Sequence, residues 1–441
     1  MKVSEEAVVS QTLVEGGAAA RLPNRWAQLA IGVTCMISIA SPQYVWALFT
    51  KPFMAKLGAT LAEVQVVFSI VVGLQCLLAP LGGYLVERFG VRRLLATGAI
   101  LVGGSWIIGA RAQSLAALYL TYGLFAGLGT GIVYIGVVGL MVKWFPDRRG
   151  LAAGIAASGY GMGASLTTFP ISHSLAAFGL EHTLTTYGFV FGAVCLVGAM
   201  MLRTPPHDYQ ATVHAGLESN RADVPPARML RQPVFWLMFL MMTMMSTSGL
   251  MVVSQMGAFA RDFGIVDATV FGLAALPLAM TIDRVMNGLT RPVFGWISDR
   301  IGRENTMLLA FALEGAAMTV WFLTRDNALL FVLLSGLVFF GWGEIFSLFP
   351  STLTDTFGPR FASTNYGFLY AGAGVGAILG GPLAALLFQA SGSWISVFVT
   401  AIAANFATAF LAIALLKPMR RRYLSIRRSV DLHQPPGRGQ R

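Results

Sequence analysis

The sequence predicts an all-α membrane protein with twelve transmembrane helices in two pseudo-symmetric six-helix bundles. Two observations predict it. Hydrophobic residues make up 56% of the 441 positions and charged residues 12%, and the apolar positions gather into runs of about 20, enough to cross roughly 30 Å of hydrocarbon. In addition, Gly83 to Arg93 (Gly-Tyr-Leu-Val-Glu-Arg-Phe-Gly-Val-Arg-Arg) recurs 212 residues later as Gly295 to Arg303 (Gly-Trp-Ile-Ser-Asp-Arg-Ile-Gly-Arg), each time after a long apolar run. Ordinary positive flanks explain the arginines but not the register, so the chain reads as two related halves.

The predicted spans lie near 27–49, 64–86, 94–110, 115–141, 151–174, 183–202, 234–258, 268–297, 306–324, 328–353, 362–388 and 393–416. They define an N-tail (1–25), a first bundle (26–202), a linker (203–233), a second bundle (234–416) and a basic C-tail (417–441). The N-tail carries Glu5, Glu6 and Glu15 and lacks the basic flank of a signal peptide, so helix 1 is the expected insertion signal. The linker, with Pro205-Pro206 and Pro225-Pro226, has the composition of a connector rather than a domain. The C-tail, with Arg420, Arg421, Arg422, Arg427 and Arg428, reads as a disordered basic segment near anionic headgroups.

Of the 31 Lys and Arg residues, 24 fall in the tails and even-numbered connections, five in odd-numbered connections, and two, Arg284 and Arg291, inside helix 8. Positive charge stays cytoplasmic, so both termini are expected there. The formal net charge of +11 then reports orientation in a bilayer, and no nucleic-acid partner is expected. Cys35, Cys76 and Cys195 all fall within spans and lack metal-ligand spacing. No metal or cofactor is expected, and neither is an enzyme: no span carries His-Glu-x-x-His, paired aspartates or a serine/histidine set.

The two copies of the repeat, Gly83, Glu87, Arg88, Gly90 and Arg92 in one and Gly295, Asp299, Arg300, Gly302 and Arg303 in the other, form short charged turns read as conformational hinges. The repeat continues: Gly129-Thr-Gly131-Ile-Val-Tyr134 matches Gly341-Trp-Gly343-Glu-Ile-Phe346, and Gly159-Tyr-Gly-Met-Gly163 matches Gly372-Ala-Gly-Val-Gly376. Halves related in this way place a site at their interface near mid-bilayer.

Ionisable residues inside spans cost about 2.5 to 3.5 kcal/mol each on insertion scales and mark functional positions. Helix 8 holds Asp283, Arg284 and Arg291. At 100° per residue Arg284, Asn287 and Arg291 make one polar stripe, with Arg291 near mid-membrane and Arg284 roughly 10 Å further out. A guanidinium there offers a planar fork for a carboxylate. Glu344 in helix 10, at a depth comparable to Arg291, is a candidate counter-charge or proton carrier; Glu314 in helix 9 is a weaker one. Pro42 should loosen helix 1 around Gln43, Tyr44 and Trp46. With Gln65, Gln75, Tyr134, Tyr160, Gln255, Trp342 and Tyr370, these residues suggest a small aromatic-lined cavity floored by arginine.

At these residues the chain resembles the oxalate/formate antiporter group of the major facilitator superfamily, relatives of the monocarboxylate porters. The likeness runs over nearly all of residues 25–416. Its specific pieces are Pro-Gln-Tyr-Val-Trp at 42–46, Trp-Phe-Pro-Asp-Arg-Arg-Gly at 144–150, Gly-Tyr-Gly at 159–161, Asn-Gly-Leu-Thr-Arg-Pro at 287–292, Leu-Phe-Pro-Ser at 348–351 and Asn-Tyr-Gly-Phe at 365–368. The resemblance implies the major facilitator fold. It matches Arg291 to the arginine that binds the substrate carboxylate, and Gln43, Tyr44, Gln65, Tyr134, Tyr160, Trp342 and Tyr370 to pocket positions. Phe346 stands where a tyrosine is familiar, and Ala373 replaces a helix 11 lysine that supplies the second positive charge for a dianion. With Asp283 and Glu344 set against Arg284 and Arg291 the site is formally near neutral. The expectation is a secondary transporter of small organic anions, favouring monocarboxylates, with protons or a counter-anion as co-substrate and the bacterial inner membrane as its location. Oxalate/formate exchange is the alternative; an anion sensor fits less well, since linker and tails hold no signalling domain.

Overall fold

The computed structural model describes residues 24–206 and 223–432; most of the predicted N-tail, the middle of the linker and the last nine residues lie outside them. Helix α1 comprises Arg25–Ser38, Ser41–Tyr44 and Trp46–Leu57, α2 comprises Leu61–Leu77 and Ala79–Phe89, and α3 is Val91–Gly109. In α4, Leu115–Leu118 and Ala126–Trp144 flank a wide turn at Tyr119–Phe125. One helical run, Arg149–Met201, contains α5 (149–178) and α6 (180–201). The second half holds α7 (Pro233–Asp262), α8 (Ala275–Ile301), α9 (Arg303–Leu323), α10 (Ala328–Trp342 and Ile345–Phe357), α11 (Ala362–Ser391), α12 (Trp394–Leu411, closing through Ala412–Leu416) and α13 (Lys417–Leu432). Helical segments thus occupy all twelve expected positions.

Eight of these helices are individually long and apolar enough to cross a membrane, the 149–201 run counting once; α1 and α2 qualify when their halves are joined across bends of 44° and 53°. In α2 the bend lies just before Pro80 at the start of the second half, where a missing N–H interrupts the ladder; in α1 it lies at Val45, three residues after Pro42. Helix α8 is too charged to qualify by apolarity because it carries Asp283, Arg284, Arg291, Asp299 and Arg300. The outward-facing apolar side chains, such as Phe169 (82% exposed) and Phe410 (68%), suit a lipid environment.

Three expectations need correction. The predicted gap between spans 5 and 6 is a single kink at Gly179, whose φ of 77° suits glycine. Span 8 begins at Ala275 rather than 268, because Thr269–Val270 and Leu273–Ala274 pair as a hairpin around Phe271 and Gly272, both with positive φ. The C-tail is not disordered from its start. Helix α13 packs onto the second bundle: Arg420 Nη1 pairs with Glu304 at 2.7 Å, its Nε donates to Thr356 Oγ1, and Tyr423 lies 5.5 Å from the Phe357 ring.

Both described chain ends lie at one end of the bundle, here termed the tail end. Arg25 pairs with Asp147 at 2.8 Å, Arg92 Nε donates to the Leu202 carbonyl at 2.8 Å, and Lys417 Nζ donates to Asn305. The two halves meet tightly there. A Cβ on Gly83 would sit 2.4 Å from the Ser363 carbonyl, and one on Gly295 would sit 2.2 Å from that of Gly150, so backbone touches backbone across the interface. Gly90 (φ 89°) and Gly302 (φ 92°), 212 residues apart, turn α2 into α3 and α8 into α9 in the same left-handed conformation.

Each hinge acid caps a helix of the opposite half. Glu87 accepts from Ser363 N (2.9 Å), Thr364 N (3.2 Å) and the Thr364 hydroxyl at the start of α11. Asp299 accepts from Gly150 N (3.0 Å) and Leu151 N (2.9 Å) at the start of α5. A carboxylate at a helix N-terminus satisfies free N–H groups and meets the positive end of the dipole. Two expected hinge arginines take no part: Arg88 donates to Tyr84 Oη and Arg300 stacks 3.7 Å over Trp296, both on their own helix. Each follows its acid directly, about 100° further round the helix, so its side chain leaves on the exposed outer face.

Candidate functional site

Two overlapping cavities lie between the halves on the distal side of these contacts. The inner one, about 600 Å³, is bounded by Tyr134, Tyr160, Arg291, Phe346 and Tyr370 among others. The outer one, about 440 Å³, is bounded by Gln65, Asp283, Arg284 and Asn287. Gln43, Tyr44 and Trp342 line both. The walls reach Phe68, Met256, Met280 and Pro382, close to the distal ends of their helices, so the molecule is closed at the tail end and hollow toward the other.

The inner wall is an aromatic cluster joined by amides. The Tyr134 ring lies 5.0 Å from Tyr370 and 5.2 Å from Tyr160, which lies 5.4 Å from Tyr44. Phe346 sits 6.0 Å from both Trp342 and Tyr370. The Tyr160 hydroxyl is 2.5 Å from Gln43 Oε1 and 3.0 Å from Gln75 Oε1, and Gln75 Nε2 donates to Tyr370 Oη at 3.1 Å. Gln75 thereby links α2, α5 and α11, a joining role its sequence position does not announce. Trp342 Nε1 is held by the Met245 carbonyl at 2.9 Å.

Arg291 is 1% exposed. Its Nη1 donates to the Ala157 carbonyl (2.6 Å) on α5 of the opposite half, and its Nη2 to Asn287 Oδ1 (2.9 Å) on α8. The guanidinium lies 4.7 Å above the Phe346 ring, and Nε has no partner among the described residues. Glycines on α5 make this nest: a Cβ at Gly161 would stand 3.0 Å from the guanidinium carbon, and one at Gly154 would stand 2.2 Å from the Arg291 carbonyl. Two nitrogens of the expected fork are therefore already engaged in this closed-tail conformation. The Ala157 carbonyl left no trace in the sequence, being backbone of a distant helix.

Every residue expected to bind substrate lines one or both cavities. Glu344 does not. It is fully buried where α10 breaks at Gly343–Glu344, and among the described residues its carboxylate has neither a hydrogen bond nor an ion pair, so it is not a counter-ion in contact with Arg291. At about 100° per residue Glu344 stands about 200° round the helix from Trp342, whereas Phe346 stands only about 40° from it, so the acid lies on the face turned away from the cavity. Asp283 is 7% exposed, and no ion pair joins it to Arg284. Ala373 does line the inner cavity. Among the described residues no cluster of His, Cys, Asp or Glu could hold a metal.

Two bundles closed at one end around a central cavity define a membrane transporter rather than an enzyme. Residues 29–282 and 240–436 match the Major Facilitator Superfamily, and the chain belongs to that family. It is 32% identical over 395 residues, 89% of this chain and 91% of the relative, to the oxalate:formate antiporter of Oxalobacter formigenes. To monocarboxylate transporter 13 of Bos taurus it is 24% identical over 360 residues, 80% of each chain. Among solved structures it is similar to the major facilitator transporter FucP in the outward conformation, with a TM-score of 0.66 at 13% identity over 90% of this chain and 98% of that one.

Proposed function

We propose that this transporter carries small carboxylates, monocarboxylates above all, by alternating access, with Arg291 as the anchor. The carrying observation is a lone buried guanidinium in an aromatic cavity between the bundles, in a chain 32% identical to an oxalate:formate antiporter. The cavity walls supply planar apolar surface and amide donors suited to a small anion; Arg291 supplies charge. Ala373 stands where the antiporter group carries a second cation, so one carboxylate is favoured over two. Oxalate/formate exchange is the second reading, supported by that same relative.

The excess of Lys and Arg at the tail end supports a cytoplasmic location for it, which makes this conformation outward-facing in the inner membrane. Protons or a counter-anion drive turnover. Counterflow in proteoliposomes with formate, lactate, pyruvate and oxalate tests the substrate class, with uptake of at least one monoanion expected above oxalate. Arg291→Lys is expected to lose most transport, roughly 10- to 100-fold, since an ammonium cannot reproduce the planar grip. Ala373→Lys should move preference toward oxalate. If Glu344 carries the coupled proton, Glu344→Gln flattens the pH profile of net uptake and spares exchange; a fall in both modes assigns it to structure.

A further inference from the structure

Helix α8 presents two guanidiniums to the cavities in opposite circumstances. Arg291 is sunk and already donating across the halves. Arg284, two turns toward the distal end and about 10 Å away along the helix, is exposed, lines the outer cavity and makes no hydrogen bond or ion pair among the described residues. Its neighbour Asp283 is buried and makes no ion-pair contact with it, so the two charges interact only through space. A cation within a span that has no structural partner carries its insertion cost with no compensating contact, and a water-facing guanidinium in a cavity mouth attracts anions. Gln43, Tyr44 and Trp342 border both cavities, so one path leads from Arg284 to Arg291.

We propose that Arg284 is a second anion-binding site, an outer subsite that holds the substrate carboxylate at the distal mouth before Arg291 receives it. This rests on the carboxylate reading of the inner site. The two positions make different demands. Arg291 needs a planar fork among fixed partners; Arg284, wet and unpaired, needs only charge. Among the described residues Asp283 is the one acid that lines the outer cavity, and it weakens the subsite.

The test is initial uptake of radiolabelled formate, lactate and oxalate by oriented proteoliposomes. Arg284→Gln is expected to raise the external KM about five-fold, keep Vmax within about two-fold, and flatten the dependence of KM on ionic strength. Arg284→Lys restores wild-type KM, unlike Arg291→Lys, and Asp283→Asn lowers it. In the transport-inactive Arg291→Gln protein, equilibrium dialysis with labelled formate shows weak, salt-sensitive binding that adding Arg284→Gln removes. An active Arg284→Gln protein with wild-type KM and salt dependence overturns the subsite alone, as does a loss confined to Vmax. A wild type that carries none of the three anions overturns the carboxylate reading and the subsite with it.

Discussion

The two hinges descend from one repeat yet hold the bundles together differently. In the first, Glu87 relies on hydrogen bonds from the start of α11, and its cation, Lys143, stands 4.0 Å away. In the second, Asp299 caps α5 and also pairs with Arg303 at 2.6 Å; Arg303 reaches Asp355 at 2.8 Å, and Asp355 bridges to Arg149 of the opposite half at 2.7 Å. Asp355 occupies the position 212 residues after Lys143, so a reversal of sign at one equivalent site turns a capping contact into a charge network. The lesson is that pseudo-symmetry conserves the geometry of closure while leaving its strength to a few side chains.

The largest break in that comparison should come from Asp355→Ala. It leaves Arg149, about nine-tenths buried, without its ion-pair partner and Arg303 with Asp299 alone, and uncompensated buried charge costs about 3 to 5 kcal/mol. We expect a clear fall in Tm and raised accessibility of engineered cysteines at the tail end; an unchanged Tm would show that the network contributes little. Next come Gly83→Ala and Gly295→Ala. Each drives a methyl into backbone of the other half, at an overpacking cost of about 1 to 3 kcal/mol, so both should favour opening of the tail end to similar extents. A large difference between them in cysteine accessibility would place the asymmetry in the backbone rather than the charges.

A smaller effect separates the acids themselves. Asp299→Ala should shift the balance of conformations more than Glu87→Ala, by about 1 kcal/mol, because it removes a 2.6 Å ion pair as well as a cap, whereas the cation of Glu87 stands 4.0 Å away. Substrate affinity should change less than the ratio of conformations in both. The reverse order would mean that helix capping, not charge, sets the strength of closure. Least of all, Arg88→Ala and Arg300→Ala are expected to stay within about 0.5 kcal/mol in thermal stability, since each side chain meets only its own helix.

The same contrast explains what could be read in advance. Apolar runs reveal the bilayer core, so the helical positions and the repeat were legible, but helices outrun the hydrocarbon: α1 extends to Leu57 and its predicted span stopped at 49. Helix α13 was invisible to that logic because its sequence is polar, and its helix forms by packing Arg420 and Tyr423 onto the second bundle. The connection between α5 and α6 was expected to span several residues, but Gly179 alone makes it, because a positive φ there breaks the helix in one step. In the cavity, Gln43, Tyr160 and Arg291 stood out because polar groups are scarce in spans. Glu344 misled because its depth was read from chain position while its direction was not, and at about 100° per residue it lies about 200° round from Trp342. The engagement of Arg291 with a carbonyl of α5 could not be foreseen, as backbone partners carry no residue signature.

That single hydrogen bond has a thermodynamic corollary. The Ala157 carbonyl and a substrate carboxylate seek the same cation, so on the proposed assignment occupancy and closure are linked functions of one group. Reciprocity then requires that whatever factor closure takes from anion affinity, the anion takes from closure. A carboxylate that draws Arg291 away from α5 unfastens the tail end in proportion to its own hold, and a ligand that leaves Nη1 on Ala157 shifts nothing, however tightly it is bound.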